Sequence, residues 1–379
     1  MKTVTSKNLR QAWLAVHLYL GLGFGLLLAL IGLTGSLLVF YMEIDAWLNP
    51  ELMIAPTTSK PLSYQALWDA LQATEPNRSH AWRLEIPDHP QTAVTARYYK
   101  PEETAHHGFA PLLVSLNPYT AEVIHKRFWG QYLMTWLFDL HYTLLLDQTG
   151  KIVMAIVGLL LLISLLTGVY LWWPSQKQLR SAFTIKRNSS PQRYIYDVHK
   201  TSGVYSAVVV VVVTLTGIAL EVPQYVNPVI DYFSSVDKVM PKPVSTVMAS
   251  SNRLTVDQAV ATAQQLFPQA RLCWIETPDN ETGAFRINLR QAFEPSQRFP
   301  KTNVWIDQYN GQILHVSNPY QKTAGTKLIT WLHPLHNGEA FGMAGRIAVF
   351  ISGLVLPLLW VTGLIRWSHK RKSKACKTP

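Results

Sequence analysis

Apolar residues run almost unbroken through four stretches of this chain, and two long stretches of mixed polarity separate them. Each apolar stretch exceeds the roughly 20 residues that cross a hydrocarbon core at about 1.5 Å per residue. They predict membrane helices over 8–42, 150–173, 194–222 and 345–367. The first is basic and then apolar, like a signal peptide, but its apolar run over 12–40 is too long and has no cleavage motif, so it reads as a retained helix. Gly21, Gly23, Gly25, Gly32 and Gly35 break up its leucines, as suits the close approach of a neighbouring helix or a flat cofactor. Between the helices the pattern changes. LSYQALWDALQATEP and RLTVDQAVATAQQLFP have helical spacing, whereas HAWRLEIP, TAVTARYY, PLLVSLNP, ARLCWIETPD, GAFRINLR and TNVWID read as short strands punctuated by Pro and Gly. Residues 43–130 and 223–328 are therefore expected to form two external α+β domains, each a helix on a small antiparallel sheet. Residues 131–149 and 329–344 are interfacial segments leading into the second and fourth helices.

The chain is written twice. Subtracting 195 lays Trp331 on Trp136, His336 on His141, Gly345 on Gly150, Arg346 on Lys151, Thr362-Gly363 on Thr167-Gly168 and Trp367 on Trp172, without a gap. Subtracting 182 lays His199 on His17 and Thr216-Gly217 on Thr34-Gly35. The fold expected is an α-helical integral membrane protein of four transmembrane helices in two tandem repeats, related by a pseudo-twofold axis along the membrane normal.

Charge gives the orientation. The net charge is +11, yet only 15% of residues are charged and 48% are hydrophobic. Residues 1–10, 174–193 and 366–379 hold fourteen of the 34 basic residues and none of the 23 acidic ones. Basic residues confined to short segments flanking apolar runs follow the positive-inside rule. Both termini and the basic loop 174–193 are thus expected in the cytoplasm, the large segments outside and 368–379 as a cytoplasmic tail; membrane lipid, not nucleic acid, accounts for the high pI. Cys273 and Cys376 fall on opposite sides and cannot bridge, and no CxxCH occurs for covalent haem attachment.

The four-helix plan, the paired Thr-Gly helices, His141-Tyr142 and His336-Asn337 ahead of helices two and four, and the two external QAxxxA segments at Gln65 and Gln258 resemble the PepSY-associated transmembrane family. The likeness is greatest to its inner-membrane ferrisiderophore reductases. That resemblance implies two PepSY-like external domains, two haem b groups in the bundle, a bacterial inner-membrane location, and reduction of ferric siderophore to Fe(II) on the periplasmic side. No flavin- or nicotinamide-binding domain is appended here, which leaves quinol or a cytoplasmic flavoprotein as electron donor.

The duplicated histidines fit that implication, because bis-histidine haem takes one imidazole on each face of the iron. Seventeen residues, about 26 Å of straight helix, separate His17 from Thr34, so His17 and His199 are expected near the cytoplasmic side. His141 and His336 precede their helices and lie outside, on segments that bend back toward the bundle. One haem is then held by His17 and His199 and the other by His141 and His336. Thr34 and Thr216 come near the outer haem and Thr167 and Thr362 near the inner one; there each hydroxyl either bonds a carbonyl or propionate beside the porphyrin, or bonds back to its own helix. Lys151 and Arg346 pair with propionates or snorkel to the interface. His333 is an alternative to His336, although its counterpart is Phe138. His369 suits lipid headgroups, and the His106-His107 pair suits solvent. Trp129, Trp136, Trp172, Trp173, Trp331 and Trp367 fit an interfacial belt. No general base or nucleophile motif is visible, so the chemistry expected is outer-sphere electron transfer, with no catalytic side chain. Two rival readings are a membrane-anchored regulatory or protease-inhibiting PepSY protein, and a proton-coupled transporter, which would carry more membrane carboxylates than these spans do.

Overall fold

The computed structural model describes residues 6–238, 240–247 and 253–375. Cys376 lies outside the described residues. In chain order the elements are helices α1 (Ser6–Gly23), α2 (Gly25–Val39), α3 (Tyr41–Leu48) and α4 (Tyr64–Thr74), strands β1 (Trp82–Glu85), β2 (Val94–Tyr98), β3 (Leu112–Leu116) and β4 (Val123–Phe128), and helices α5 (Leu133–Thr143), α6 (Asp147–Trp172), α7 (Leu179–Ala182) and α8 (Pro191–Glu221). There follow α9 (Pro223–Phe233), α10 (Val256–Leu266), β5 (Arg271–Glu276), β6 (Ala284–Arg290), β7 (Thr302–Asp307), β8 (Ile313–Ser317), α11 (Ala324–His336) and α12 (Gly342–Ala375). They fall into two units, one of residues 1–40, 140–226 and 332–379, the other of 41–139 and 227–331.

In the first unit α6, α8 and α12 are each long and apolar enough to cross a membrane. The pair α1 and α2 makes a fourth candidate, bent by 64°. The single helix expected over 8–42 is therefore interrupted, at Phe24 and again at Phe40. Flanking Gly23 and Gly25 remove the side chains that stiffen a helix at the first break. Gly25 is also required there, because a Cβ would run into the indole of Trp360 on α12. Helix α12 continues past the expected end at Trp367, to Ala375. Helix α8 starts on Pro191 behind Ser190, whose hydroxyl accepts from Arg193 N, an ordinary N-cap with proline at the first position.

Helix α12 packs on α2 and α8, and α6 packs on α8 and α1. Small residues make the α2–α12 crossing possible: a Cβ on Gly32 would sit 2.6 Å from Gly353 O, and Ser36 Oγ donates to Phe350 O at 2.8 Å. Close backbone approach of this kind is how helices associate without a hydrophobic driving force.

The second unit departs from expectation. The two small sheets are one, an eight-stranded antiparallel sheet of order β4-β3-β2-β1-β5-β6-β7-β8. Strands β1 and β5 join its halves, pairing Arg83 with Glu276, Leu84 with Ile275 and Glu85 with Trp274. Fusion removes two open strand edges, which are a liability for any sheet. It also leaves Leu84 and Ile275 wholly buried in one continuous core, while Arg83 bonds Glu276 across the joint at 2.5 Å. Helices α4 and α10 lie over that core and cap each other: the Asp257 carboxylate accepts from Tyr64 N and Gln65 N at 3.0 Å each, and Gln65 Oε1 accepts from Val256 N at 2.8 Å. Burial pushes the Cys273 thiol up to about 11, so it serves as an apolar filler. Trp129 does not belong to an interfacial belt; it is buried, and its indole N–H donates to Asp139 at 2.9 Å.

Two changes test this packing. Gly353→Leu should lower the thermal unfolding midpoint of the detergent-solubilised chain, since overpacking costs about 1–3 kcal/mol, while Leu354→Ile, at a position 39% exposed, should leave it unmoved. Asp257→Ala should cost about 0.5–2 kcal/mol through the lost cap, read by denaturant titration of tryptophan fluorescence.

Candidate functional site

Each of the four duplicated histidines sits on one helix and leans on the Thr-Gly step of another. His17 on α1 places Nδ1 3.0 Å from Ser164 O and 3.1 Å from Thr167 Oγ1 on α6. His141 on α5 places Nδ1 3.1 Å from Ile31 O and 3.1 Å from Thr34 Oγ1 on α2. His199 on α8 places Nδ1 2.9 Å from Thr362 Oγ1 on α12, with the Leu359 carbonyl as its backbone partner. His336, the last residue of α11, places Nδ1 2.9 Å from Val213 O and 3.3 Å from Thr216 Oγ1 on α8.

These partners decide which nitrogen carries the proton. A carbonyl cannot donate, so each Nδ1 must. The threonine hydroxyls use their own proton on their own helix: Thr34 on Leu30 O at 3.0 Å, Thr167 on Ser164 O at 2.9 Å, Thr216 on Val212 O at 2.8 Å and Thr362 on Leu358 O at 2.7 Å. Each Oγ1 is then a further acceptor for the imidazole. In a neutral ring whose Nδ1 is protonated, Nε2 keeps a free lone pair, which is the form that binds a metal. Back-bonding of the threonines and contact with histidine are thus one arrangement.

The glycines complete the seat. A Cβ on Gly35 would lie 2.8 Å from His141 Cε1, on Gly217 2.9 Å from His336 Cε1, on Gly168 3.2 Å from His17 Cε1 and on Gly363 3.6 Å from His199 Cε1. Glycine lets each ring press against the helix backbone. The chain turns sharply to deliver His141 and His336: Leu144, Leu145 and Asp147 have positive φ after α5, and Gly338 and Gly342 have it after α11.

The four rings form two pairs. His17 and His199 have centroids 6.3 Å apart and planes at 87°; His141 and His336 have centroids 6.3 Å apart and planes at 48°. Two imidazoles that each bind one metal at about 2 Å, with the ring centre about 1 Å behind the nitrogen, have centroids about 6 Å apart. Along α8, His199 lies seventeen residues, or about 26 Å, before Thr216, the partner of His336, so the pairs occupy opposite ends of that helix. The same count along α1 and α2 overstates the reach, because of the bend at Phe24.

Cavities of about 520 and 400 Å³ flank the His17–His199 pair, and both include Gly21 and Arg366 in their walls. Nothing lies within 4 Å of the place a Cβ on Gly21 would take, so that glycine opens onto free space. Among the described residues no group of three or more His, Cys, Asp or Glu side chains could hold a metal ion. Among the described residues each pair therefore brings two imidazoles together with no third ligand-bearing side chain of these types.

The remaining candidates are placed as follows. His336, not His333, is the ring paired with His141. The His106 and His107 rings lie 4.2 Å apart, tilted by 43°, in an exposed loop, and His369 lies near the end of α12. Lys151 Nζ stands 5.2 Å from the centre of the Tyr142 ring; Arg346 donates to Val39 O at 2.8 Å and covers Phe40. Arg366 was not among the residues expected to matter. It maps onto Leu171 in the first half, so comparison of the halves hides it.

A family model of the PepSY-associated TM region matches residues 14–370, a span that includes all four histidines and all four Thr-Gly steps. No curated protein matches the chain.

In metal-free chain labelled with 15N-histidine, ring shifts should report Nδ1 protonated and Nε2 bare at His17, His141, His199 and His336. Gly217→Val should move the signals of His336 and leave the His17–His199 pair alone; protonated Nε2 at these four positions would contradict the seats described.

Proposed function

The chain belongs to the PepSY-associated transmembrane family, and from that premise we propose that it is a di-haem electron-transfer protein that reduces ferric siderophore on the periplasmic side of a bacterial inner membrane. The bent pair α1–α2 then counts as one span, giving four spans in two tandem halves with both termini cytoplasmic. The observation that carries this reading is the double pairing of imidazoles at 6.3 Å, each with Nδ1–H tied to a helix carbonyl and Nε2 left with its lone pair. His17 and His199 are the ligands of one haem b, and His141 and His336 those of the other. Haem bound at these two places supplies reversible one-electron transfer. The chain supplies ligation, orientation and burial, which set the potentials.

The substrate chemistry needs little more. Fe(III) held by hard oxygen ligands is bound far less well as Fe(II), so a single electron loosens it from its chelator. Seventeen residues of α8 separate the two sites, which suits passage of an electron from a cytoplasmic-side donor, a quinol or a flavoprotein, to the far side. The Thr-Gly seats resist movement of the imidazoles, and rigid ligands keep reorganisation small when charge changes.

Chain purified from iron-replete cells should be red and give a b-type reduced-minus-oxidised spectrum. His199→Ala and His336→Ala should each remove about half the haem, and His333→Ala none. Reduced protein under argon should be reoxidised by a ferric hydroxamate and not by its redox-inert gallium counterpart. A colourless wild-type chain, or reoxidation indifferent to the metal, overturns the reading.

A further inference from the structure

Arg366 holds a half-buried charge that no carboxylate among the described residues pairs with. Lys7, Arg10, Lys200 and Arg366 line the larger cavity beside His17 and His199, and among the described residues no acidic one lines either cavity. Two of these cations are engaged: Arg10 donates to Leu171 O at 3.0 Å, and Lys200 donates to Asp197 Oδ1 at 3.0 Å and Ser181 O at 2.9 Å. Lys7 is exposed to solvent. Arg366 is half-buried, its guanidinium 4.5 Å from the centre of the Tyr196 ring, and among the described residues no carboxylate pairs with it. It borders both cavities and lies close enough for its charge to act on both imidazoles.

A guanidinium has five N–H donors in a planar fork, and that fork matches a carboxylate bidentately. The Tyr196 ring behind it offers that fork a face and no carboxylate. Other walls of the same space are apolar, among them Leu28, Leu356 and Trp360. The cavity is therefore amphipathic, as suits a flat apolar ligand with acid groups on one edge. We propose that Arg366 binds the carboxylate edge of the planar ligand held between His17 and His199, which on the functional reading above means the propionates of that haem. The inference rests on that reading. Arg366 borders the cavities beside His17 and His199, so the role belongs to this pair; its repeat counterpart, Leu171, lines the same larger cavity and offers no second fork.

The test uses the purified full chain and follows each haem by redox titration and by its release to apomyoglobin. A positive charge beside the haem favours the reduced form. R366Q should shift the reduction equilibrium of the haem that His199→Ala removes about tenfold toward the oxidised form, or about 59 mV, and speed its release about tenfold, with the other haem unmoved. R366K, which keeps the charge and loses the fork, should hold the potential near wild type and still release that haem several-fold faster. An unmoved potential and release rate in R366Q would mean that Arg366 meets lipid headgroups instead, and equal shifts in both haems would mean a general effect; either overturns the assignment. Should R366Q lack both haems through failure to fold, the release rate in R366K decides: faster supports the assignment, unchanged overturns it. Absence of haem from the wild type would sink the functional reading, whereas a red wild type with an indifferent R366Q sinks only the role of Arg366.

Discussion

A buried imidazole N–H must find an acceptor, and inside a helical bundle the backbone carbonyls are already taken by their own helices. A carbonyl has two lone pairs, however, and the Thr-Gly step exposes one of them. Ile31 O receives Thr34 Oγ1 at 3.0 Å and His141 Nδ1 at 3.1 Å; Ser164 O receives Thr167 and His17; Val213 O receives Thr216 and His336. Threonine and histidine converge on one oxygen, and the following glycine removes the side chain that would keep the ring away. Leaving such an N–H unpaired would cost about 1–3 kcal/mol, enough to hold each ring in one tautomer and one orientation. The crossings of α2, α6, α8 and α12 bring each histidine to a step on a different element, and so a seat exists only once the bundle is assembled.

That dependence explains what could be read from residues alone. The offsets of 195 and 182 single out four histidines and four Thr-Gly steps, because a duplication preserves identity wherever spacing matters. They do not say who meets whom. Spacing within one helix associates His17 with Thr34, yet His17 meets Thr167 and Thr34 meets His141; arguing from depth was needed to associate them across helices. The glycines of α1 and α2 suit the close approach of a neighbouring helix or a flat cofactor; Gly25 and Gly32 admit α12, and Gly21 faces open space. The break at Phe24 left no hydropathy signature because apolar residues continue through it.

The second unit hid its joint for another reason. Strand β1 alternates buried and less buried residues as any half-buried strand does, and β5 is a short apolar run buried through its middle, so each half reads as a complete small sheet with an edge. Nothing local distinguishes an edge that stays open from one that pairs. What distinguishes them is the cross-strand chemistry, Arg83 opposite Glu276 and Leu84 opposite Ile275, together with the reciprocal capping of α4 and α10 through Asp257 and Gln65. Residues nearly two hundred positions apart carry it, and periodicity is blind at that range.

The duplication relates the two members of each histidine pair, His17 to His199 and His141 to His336, so departures from the repeat make the two sides of one site unlike. Both histidine pairs have centroids 6.3 Å apart, yet their planes differ by 87° in one and 48° in the other. Arg366 faces Leu171 across the repeat, and Glu221 faces Val39. Thus a guanidinium stands beside the His17–His199 pair, while a carboxyl group lies one helical turn beyond Gly217, the residue against His336. Positive charge favours acceptance of an electron and negative charge favours giving it up. On the proposed function the Arg366 guanidinium thus makes the inner site the better acceptor, so that onward transfer is uphill by that charge. On that proposal a membrane potential negative inside drives an electron outward by about 2.3 kcal/mol per 100 mV for a full crossing, and so offsets the climb.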